Sequence, residues 1–99
     1  MTTPLELSAR RDANGVIVLT AAGEIDMSNA AGFRDALSQA DADGAAFIVD
    51  LIGVDYLDSA GLTALLPYAS RVKIIATAVL APVLSVTGLD QVTTVVPAP

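Results

Sequence analysis

The residues best suited to carry chemistry lie together at positions 58–61, Asp-Ser-Ala-Gly. They directly precede apolar residues at helical spacing, so they are predicted to lie at a helix N-terminus. The first N–H groups of a helix have no partner within it and carry the positive end of its dipole, so a serine placed there can carry a phosphate. Gly61 keeps side-chain bulk away from that point. Ser59 is therefore a candidate phosphorylation site.

A purely structural role fits the same residues. Asp and Ser are among the best N-capping residues, so Asp58 and Ser59 can simply cap the helix that they precede. Asp26, Ser28 and Asn29 stand in the same way before another predicted helix and can all cap it. Local chemistry alone favours capping for Asp58 and Ser59.

The composition excludes several kinds of catalytic centre. The 99 residues include no Cys and no His, so this chain alone cannot form a Ser-His-Asp triad, a cysteine nucleophile or a zinc site built from Cys or His. Asp26 and Asp58 could pair as a general acid and base, but no pocket is indicated, and no GxxxxGK[ST] or GxGxxG motif is present. Composition does permit a carboxylate site for Mg²⁺ or Ca²⁺. We predict no enzymatic activity, no cofactor and no metal.

The charge balance argues against nucleic acid as a partner. Eleven acidic and five basic residues give a net charge of −6, whereas binding to a phosphate backbone needs clustered Lys and Arg. An acidic surface favours a basic protein partner or simple solubility. The mean hydropathy of +0.63 also indicates an exposed apolar patch, which a partner or a second copy of the chain would cover.

Targeting signals are not evident in the sequence. The N-terminus has neither the charged region nor the apolar region of a signal peptide. The longest uncharged stretch, residues 74–89, contains Thr, Ser, Pro and Gly and has 16 residues, whereas a membrane span needs roughly 20 mostly apolar ones. We expect no membrane span and a cytoplasmic location.

Five segments have the apolar patterns of β-strands. The first alternates apolar and polar residues like a half-buried strand, and an Asp-Ala-Asn-Gly turn joins it to the second in an antiparallel hairpin. The third is a near-continuous apolar run, which is typical of a central strand buried on both faces. The predicted strands are residues 5–10, 16–21, 45–51, 72–76 and 93–96.

Helical spacing predicts three helices between the later strands. They cover residues 30–40, a segment that opens at Ser59, and residues 82–87. Pro67 is expected to bend or end the second helix, because it removes a backbone donor and clashes with the preceding turn. Residues 23–29 and 52–58 are predicted as connections.

The predicted order is ββαβαβαβ, which indicates an α/β domain. Alternating strands and helices imply a mostly parallel sheet, here beside one N-terminal antiparallel hairpin, with the helices packed against it. We expect a single domain over residues 5–96. Residues 1–4 and 97–99 are expected to be short loose tails.

Three motifs are similar to those of a known family. Residues 50–51 (DL), Val54 and residues 57–62 (LDSAGL) resemble the signature of the bacterial anti-sigma factor antagonists, in the STAS domain family. Residues 23–26 (GEID) resemble the family's loop before the first helix, and residues 87–90 (TGLD) resemble the tail of its third helix. The order and spacing of all three agree, over residues 5–96.

The resemblance implies a partner switch. An unmodified antagonist binds an anti-sigma factor, usually a serine kinase with a histidine-kinase-like ATP fold, and so frees the sigma factor. The kinase phosphorylates the serine that corresponds to Ser59, the antagonist lets go, and a phosphatase resets it. With the resemblance added, phosphorylation becomes the favoured interpretation of Ser59.

The resemblance also implies a partner-binding surface. Asp26 would lie near Ser59 and shape the contact with the kinase, while Asp58 would orient the loop or cap the helix. Gly61 would let the partner approach closely, and Leu62 fits core packing equally well. The predicted partner-binding residues are Asp26, Met27, Asp58, Ser59, Ala60, Gly61, Leu62 and Thr63.

Other functions within the same family remain open at this point. One is a STAS subunit of a membrane lipid-transport complex, which binds an ATPase subunit and need not be phosphorylated. Another is a regulatory STAS binding module without phosphorylation. The Asp58-Ser59 pair favours an anti-sigma factor antagonist over these two alternatives.

Overall fold

Strands and helices alternate through residues 4–99, the part of the chain that the computed structural model describes. The order ββαβαβαβ is confirmed, with two short 3₁₀ helices added at Leu66–Tyr68 and Leu89–Gln91. The helices are α1 (Ala30–Ala40), α2 (Ser59–Leu65) and α3 (Ala81–Val86). The strands are β1 (Glu6–Arg11), β2 (Ile17–Ile25), β3 (Phe47–Leu57), β4 (Val72–Ala76) and β5 (Thr94–Pro97).

The five strands form one mixed sheet in the order β1-β2-β3-β4-β5. β1 pairs with β2 in the predicted antiparallel hairpin, and all later pairs are parallel. The hairpin turn is closed by the Asp12 carboxylate, which accepts from the N–H groups of Asn14 at 2.8 Å and Val16 at 3.0 Å. Gly15 follows with a φ of +81°, the left-handed conformation that glycine adopts readily.

The core lies on one face of this sheet. Because side chains alternate along a strand, one set of strand residues faces the helices and the other set faces away. The third strand was expected to be buried on both faces, but Ile48 and Asp50 are only half-buried. The core includes Leu19, Val49 and Ile74 from the strands and Phe33, Leu37, Leu65 and Leu84 from the helices.

Two strands run further than predicted. β2 continues to Ile25 and β3 to Leu57, through residues that the sequence assigned to connections. The two extensions pair with each other, and register shifts on either side of Ala22 and Gly23 absorb the irregularity. This longer pairing carries both strands to the loops that hold the candidate site.

β1 is more exposed than the half-buried strand that was predicted, and part of the predicted C-terminal tail belongs to the sheet. β1 is an edge strand in which five of six residues are exposed and only Leu7 is half-buried. Pro97 ends β5, and the N–H of Ala98 donates to the carbonyl of Ala76 at 2.9 Å, so these two residues are held by the sheet. Of the other expected tail, residues 1–3 lie outside the described residues.

The helix boundaries follow the local signals in the sequence. α2 ends at Leu65 and the chain continues as a 3₁₀ turn that contains Pro67, as expected from the missing proline donor. Gly88, with a φ of +80°, follows the end of α3. Within residues 4–99, no helix has the length and apolar character needed to cross a membrane.

An ion pair links the end of α1 to the start of β4. The Arg71 guanidinium donates to both carboxylate oxygens of Asp41, at 2.8 and 2.9 Å. This hydrogen bonding holds the pKa of Asp41 below its ordinary value. The pair therefore stabilises the fold when Asp41 is ionised.

The contribution of this pair should depend on pH. Because the pKa of Asp41 is depressed in the folded state, its stabilisation is present above the ordinary value of 3.8 and is lost as pH falls through the folded value. We expect Arg71→Gln to be less stable than the wild type at neutral pH, and the difference should shrink once Asp41 is protonated, when only the contact of Arg71 with the Tyr68 ring is still lost. Urea unfolding of both proteins across this range measures the difference, and a gap as large in acid as at neutral pH would contradict the assignment.

Candidate functional site

The site forms where β2 and β3 end side by side. Since these neighbouring strands are parallel, the loop after β2 and the junction after β3 meet at one edge of the sheet. The N–H of Asp58 donates to the carbonyl of Ile25 at 3.1 Å, and the N–H of Met27 donates to Asp58 Oδ2 at 3.2 Å. The structure thus brings the 26–29 loop against the start of α2, next to Ser59.

Asp58 is the residue that joins the two segments. Its backbone is extended, and its Oδ1 accepts from the N–H groups of Ala60 at 2.8 Å and Gly61 at 3.2 Å. The predicted capping role is therefore present. Because Oδ2 accepts from Met27, the same carboxylate also fixes the neighbouring loop.

Ser59 is the exposed first residue of α2. We expected first-turn N–H groups that are free to bind a phosphate, but those of Ala60 and Gly61 already donate to Asp58. The Ser59 carbonyl accepts from the Thr63 hydroxyl at 2.7 Å. Ser59 therefore presents its hydroxyl to solvent beside a carboxylate, without a ready-made cradle of N–H donors.

Asp26 closes a tight turn and does not cap α1. Its Oδ1 accepts from the N–H of Ser28 at 2.9 Å and from the Ser28 hydroxyl at 2.5 Å, and these bonds lower the pKa of Asp26. Asn29 stands at the N-cap position of α1, but its side chain forms no capping bond. Its amide instead accepts from the Asp26 N–H and donates to the Glu24 carbonyl. The expected side-chain capping of α1 is wrong, because these groups fold the loop upon itself.

The turn holds Met27 outward. Its side chain is 83% exposed, the second-largest exposure among the large apolar side chains of residues 4–99. An exposed Met on a hydrogen-bonded turn is an adaptable apolar contact for a partner. The predicted surface positions thus include one strongly exposed apolar side chain beside Ser59.

An apolar groove begins at Ser59. It has a volume of about 230 Å³ and runs along α2 past Leu62 and Thr63 to Leu66, with Thr87 and Leu89 on the far wall. Leu62 packs against the core, as one of its two interpretations predicts, and it also lines this groove. Leu66, which is 54% exposed, was missed from sequence, although it follows Leu62 at the helical spacing of four.

Gly61 faces the interior. It is buried, and a Cβ at this position would overlap side-chain atoms of Leu57 and Ile25. The expectation that Gly61 leaves room for a partner is therefore wrong. Its missing side chain lets α2 pack closely on the ends of β2 and β3.

The acidic side chains that residues 4–99 place at this edge of the sheet do not form a cluster of metal ligands. Within residues 4–99, no three acidic side chains come together in a way that could hold a metal ion. The carboxylates of Asp26 and Asp58 are instead engaged by backbone N–H groups and by Ser28. Both side chains organise the loops around Ser59.

Comparison with known proteins finds a relative that is named as an anti-sigma factor antagonist. The anti-sigma-F factor antagonist RsfB of Mycobacterium tuberculosis is 39% identical over 62 residues, which are 62% of this chain and 51% of RsfB. The match thus spans about half the length of that relative.

Solved structures share the whole fold. The structure of an anti-sigma factor antagonist from Mycobacterium paratuberculosis matches 99% of this chain and 92% of its own, with a TM-score of 0.88 and 27% identity. The antagonist SpoIIAA in its unphosphorylated form matches 95% of this chain and 89% of its own, with a TM-score of 0.69 and 17% identity, which shows the fold alone. The model of the family described as STAS domain matches residues 9–95. Since this match covers most of the sequence, the chain belongs to the STAS domain family.

Proposed function

We propose that this chain is an anti-sigma factor antagonist without catalytic turnover, acting in the cytoplasm. It binds an anti-sigma factor of the serine kinase type and thereby releases a sigma factor. Phosphorylation of Ser59 by that kinase ends the complex, and a phosphatase restores the binding form. Membership of the STAS family supports this, together with two relatives that are named as anti-sigma factor antagonists.

The observation that carries the proposal is the fixed contact between the two loops around Ser59. The bond from Met27 N–H to Asp58 Oδ2 joins the turn that presents the exposed Met27 to the residue directly before the exposed Ser59. A kinase needs such an accessible hydroxyl. A protein interface, in turn, obtains most of its binding free energy from a few anchoring side chains, and more when the surface that presents them is preorganised. This arrangement suits binding and modification by the same partner.

The proposed partner-binding surface consists of these two loops and the exposed side of α2. Met27, Leu62 and the methyl group of Thr63 supply apolar contact, while Asp26 and Asp58 make its rim acidic. With a net charge of −6 on the chain, this surface fits a partner surface that is apolar at its centre and basic at its edge.

Ser59 should be the modified residue. With the anti-sigma kinase and ATP, we expect the chain to gain one phosphate, on Ser59. Ser28 and Thr63 are also exposed on this surface, but their hydroxyls donate to Asp26 and to the Ser59 carbonyl. Intact-mass spectrometry and peptide mapping measure the gain, and Ser59→Ala should show none. Modification of Ser28 or Ser70 in its place would contradict the assignment.

Asp26 should affect the kinase reaction more than the fold. Asp26→Ala removes both bonds from Ser28, so the turn that presents Met27 keeps only its bonds to Asp58 and Asn29. Phosphorylation of Ser59 should then slow roughly tenfold, because the contact is positioned less accurately. Unfolding in urea should resemble that of Asp35→Ala, a matched control on the exposed side of α1. A normal rate, or a rate that falls equally in the control, would remove Asp26 from the partner surface.

The kind of partner can be tested by affinity capture. Wild-type chain immobilised through its C-terminus is exposed to a host lysate, with Met27→Asp as the matched control that disrupts the proposed surface. Enrichment of a sigma-regulating kinase on the wild type alone supports the proposal. Enrichment of a transporter ATPase subunit would instead assign the chain to a lipid-transport complex.

A further inference from the structure

β1 is an open edge of the sheet. It pairs with β2 on one side, and within residues 4–99 no strand pairs with its other side. Five of its six residues are exposed, and none of them is proline. β5, at the opposite edge, has only four residues and ends in Pro97, which has no N–H to donate. Because an exposed strand edge is a template for pairing with another chain, β1 is the edge at which such pairing is expected.

The hairpin turn shows which backbone groups of β1 point outward. The N–H of Asp12 donates to the carbonyl of Val16 at 2.9 Å, and hydrogen-bonded pairs recur at every second position of an antiparallel ladder. With the register of the hairpin, the even-numbered residues of β1 therefore use their backbone groups toward β2. The odd-numbered residues direct their N–H and C=O groups outward, and these residues are Leu7, Ala9 and Arg11.

The two faces of β1 carry different side chains. Leu7 packs against the core, so the odd-numbered residues lie on the helix side of the sheet and the even-numbered residues on its open side. The open side carries Glu6 and Arg10, opposite charges placed symmetrically about Ser8. Both are exposed, and neither takes part in the two ion pairs formed within residues 4–99. The strand is therefore complementary in charge to a reversed copy of itself.

We propose that β1 pairs antiparallel with β1 of a second copy of this chain, about a two-fold axis at Ser8. Glu6 of each copy then lies opposite Arg10 of the other. These are non-hydrogen-bonded positions, where opposed side chains are closest and opposite charges attract. The outward backbone groups of Leu7 and Ala9 form the hydrogen bonds between the copies, so the two five-stranded sheets continue as one.

Charge selects this register over its neighbours. The two-fold axis keeps the helix sides of both copies together, so opposed residues must share a face and the register can shift only in steps of two. The next register in one direction places Glu6 opposite Asp12, a pair of like charges. The next in the other direction places Glu6 opposite Ser8 and Arg10 opposite Pro4. Either shift therefore loses both ion pairs.

A shallow groove at the same edge is suited to the second copy. It has a volume of about 210 Å³ and is lined by Ala9, Arg10, Arg11 and Ile17. In the proposed register, Leu7 of the second copy lies opposite Ala9, so its half-buried side chain can enter this groove. The two-fold axis repeats the contact. The edge shares no residue with the surface around Ser59, so the inference does not depend on the proposed function.

Sedimentation equilibrium and NMR test the dimer. We expect the mass of the wild-type chain to rise from 10.1 kDa toward twice that value between micromolar and millimolar concentration. In ¹⁵N spectra over the same range, the amide signals of Leu7, Ala9 and Arg11 should shift while those of β5 stay in place. A chain that remains monomeric at millimolar concentration, or a dimer whose shifts lie away from β1, would overturn the proposal.

Charge reversal tests the register. Glu6→Arg and Arg10→Glu should each weaken the dimer about tenfold, because each places like charges opposite one another. The double variant restores both pairs, keeps the net charge of −6 and should dimerise like the wild type. Asp55→Arg and Lys73→Glu change the net charge equally at exposed positions outside β1 and should have no effect. Equal weakening in these controls, or no rescue in the double variant, would refute the Glu6–Arg10 pairing.

Discussion

Phosphorylated chain is expected to bind the anti-sigma factor at least tenfold more weakly than unmodified chain, a loss of about 1.4 kcal/mol or more. The phosphate adds about −1.5 to −2 charges at neutral pH. It would stand next to Asp58, whose carboxylate already occupies the N–H groups of Ala60 and Gly61. An interface closed over Ser59 would therefore bury several negative charges with few donors to meet them, which is unfavourable.

The stability of the chain should change little. The positive end of α2 favours an anion by about 0.3–1 kcal/mol, while repulsion from the Asp58 carboxylate opposes it. We therefore expect the free energy of unfolding to stay within about 1 kcal/mol of the unmodified value. Titration calorimetry measures the affinity and thermal unfolding measures the stability of both forms.

Two variants serve as controls for this switch. Ser59→Ala should bind like the unmodified chain, and Ser59→Asp should reproduce the loss only in part, because one carboxylate has less charge and fewer acceptor oxygens than a phosphate. A phosphorylated form that unfolds well below the unmodified one would show that the switch works by unfolding α2. Local repulsion at the interface would then be the wrong mechanism.

The elements that were predicted well carry their signals locally. The apolar spacing from Ala30 to Ala40 defines α1, and Pro67 and Gly88 mark the ends of helices through their own backbone chemistry. The extensions of β2 and β3 lack such a signal, because Gly23 and Gly53 are typical of turns. They are strands because the two chains pair, and pairing between distant segments is a tertiary effect.

The same difference between local signals and tertiary contacts decides which parts of the candidate site could be predicted. Asp58 and Ser59 could be found because capping residues are recognisable before a helix. The bond from Met27 to Asp58 spans 31 positions of the chain and depends on the adjacency of β2 and β3, so no local pattern reveals it. The inward direction of Gly61 could have been found, since Gly61 precedes the buried Leu65 by four residues, on one face of the helix.

Gly61→Ala is expected to destabilise the fold by about 1–3 kcal/mol. The added Cβ would come within 2.9 Å of Ile25 Cγ2 and would also overlap Leu57, and both side chains are almost fully buried. Since the strand ends around them are paired, α2 must move outward or these side chains must leave their rotamers. This cost should exceed the roughly 0.5–1 kcal/mol that alanine gains over glycine within a helix.

Gly32→Ala is the matched control, because Gly32 lies in α1, is exposed, and has no atom within 4 Å of an added Cβ. It should stabilise the chain by about 0.5–1 kcal/mol, so the two substitutions should differ in sign. Urea unfolding measures both free energies, and anti-sigma factor binding is measured under conditions where both variants are folded. If Gly61→Ala proves as stable as Gly32→Ala yet binds the partner poorly, Gly61 serves the interface after all and the packing role is refuted.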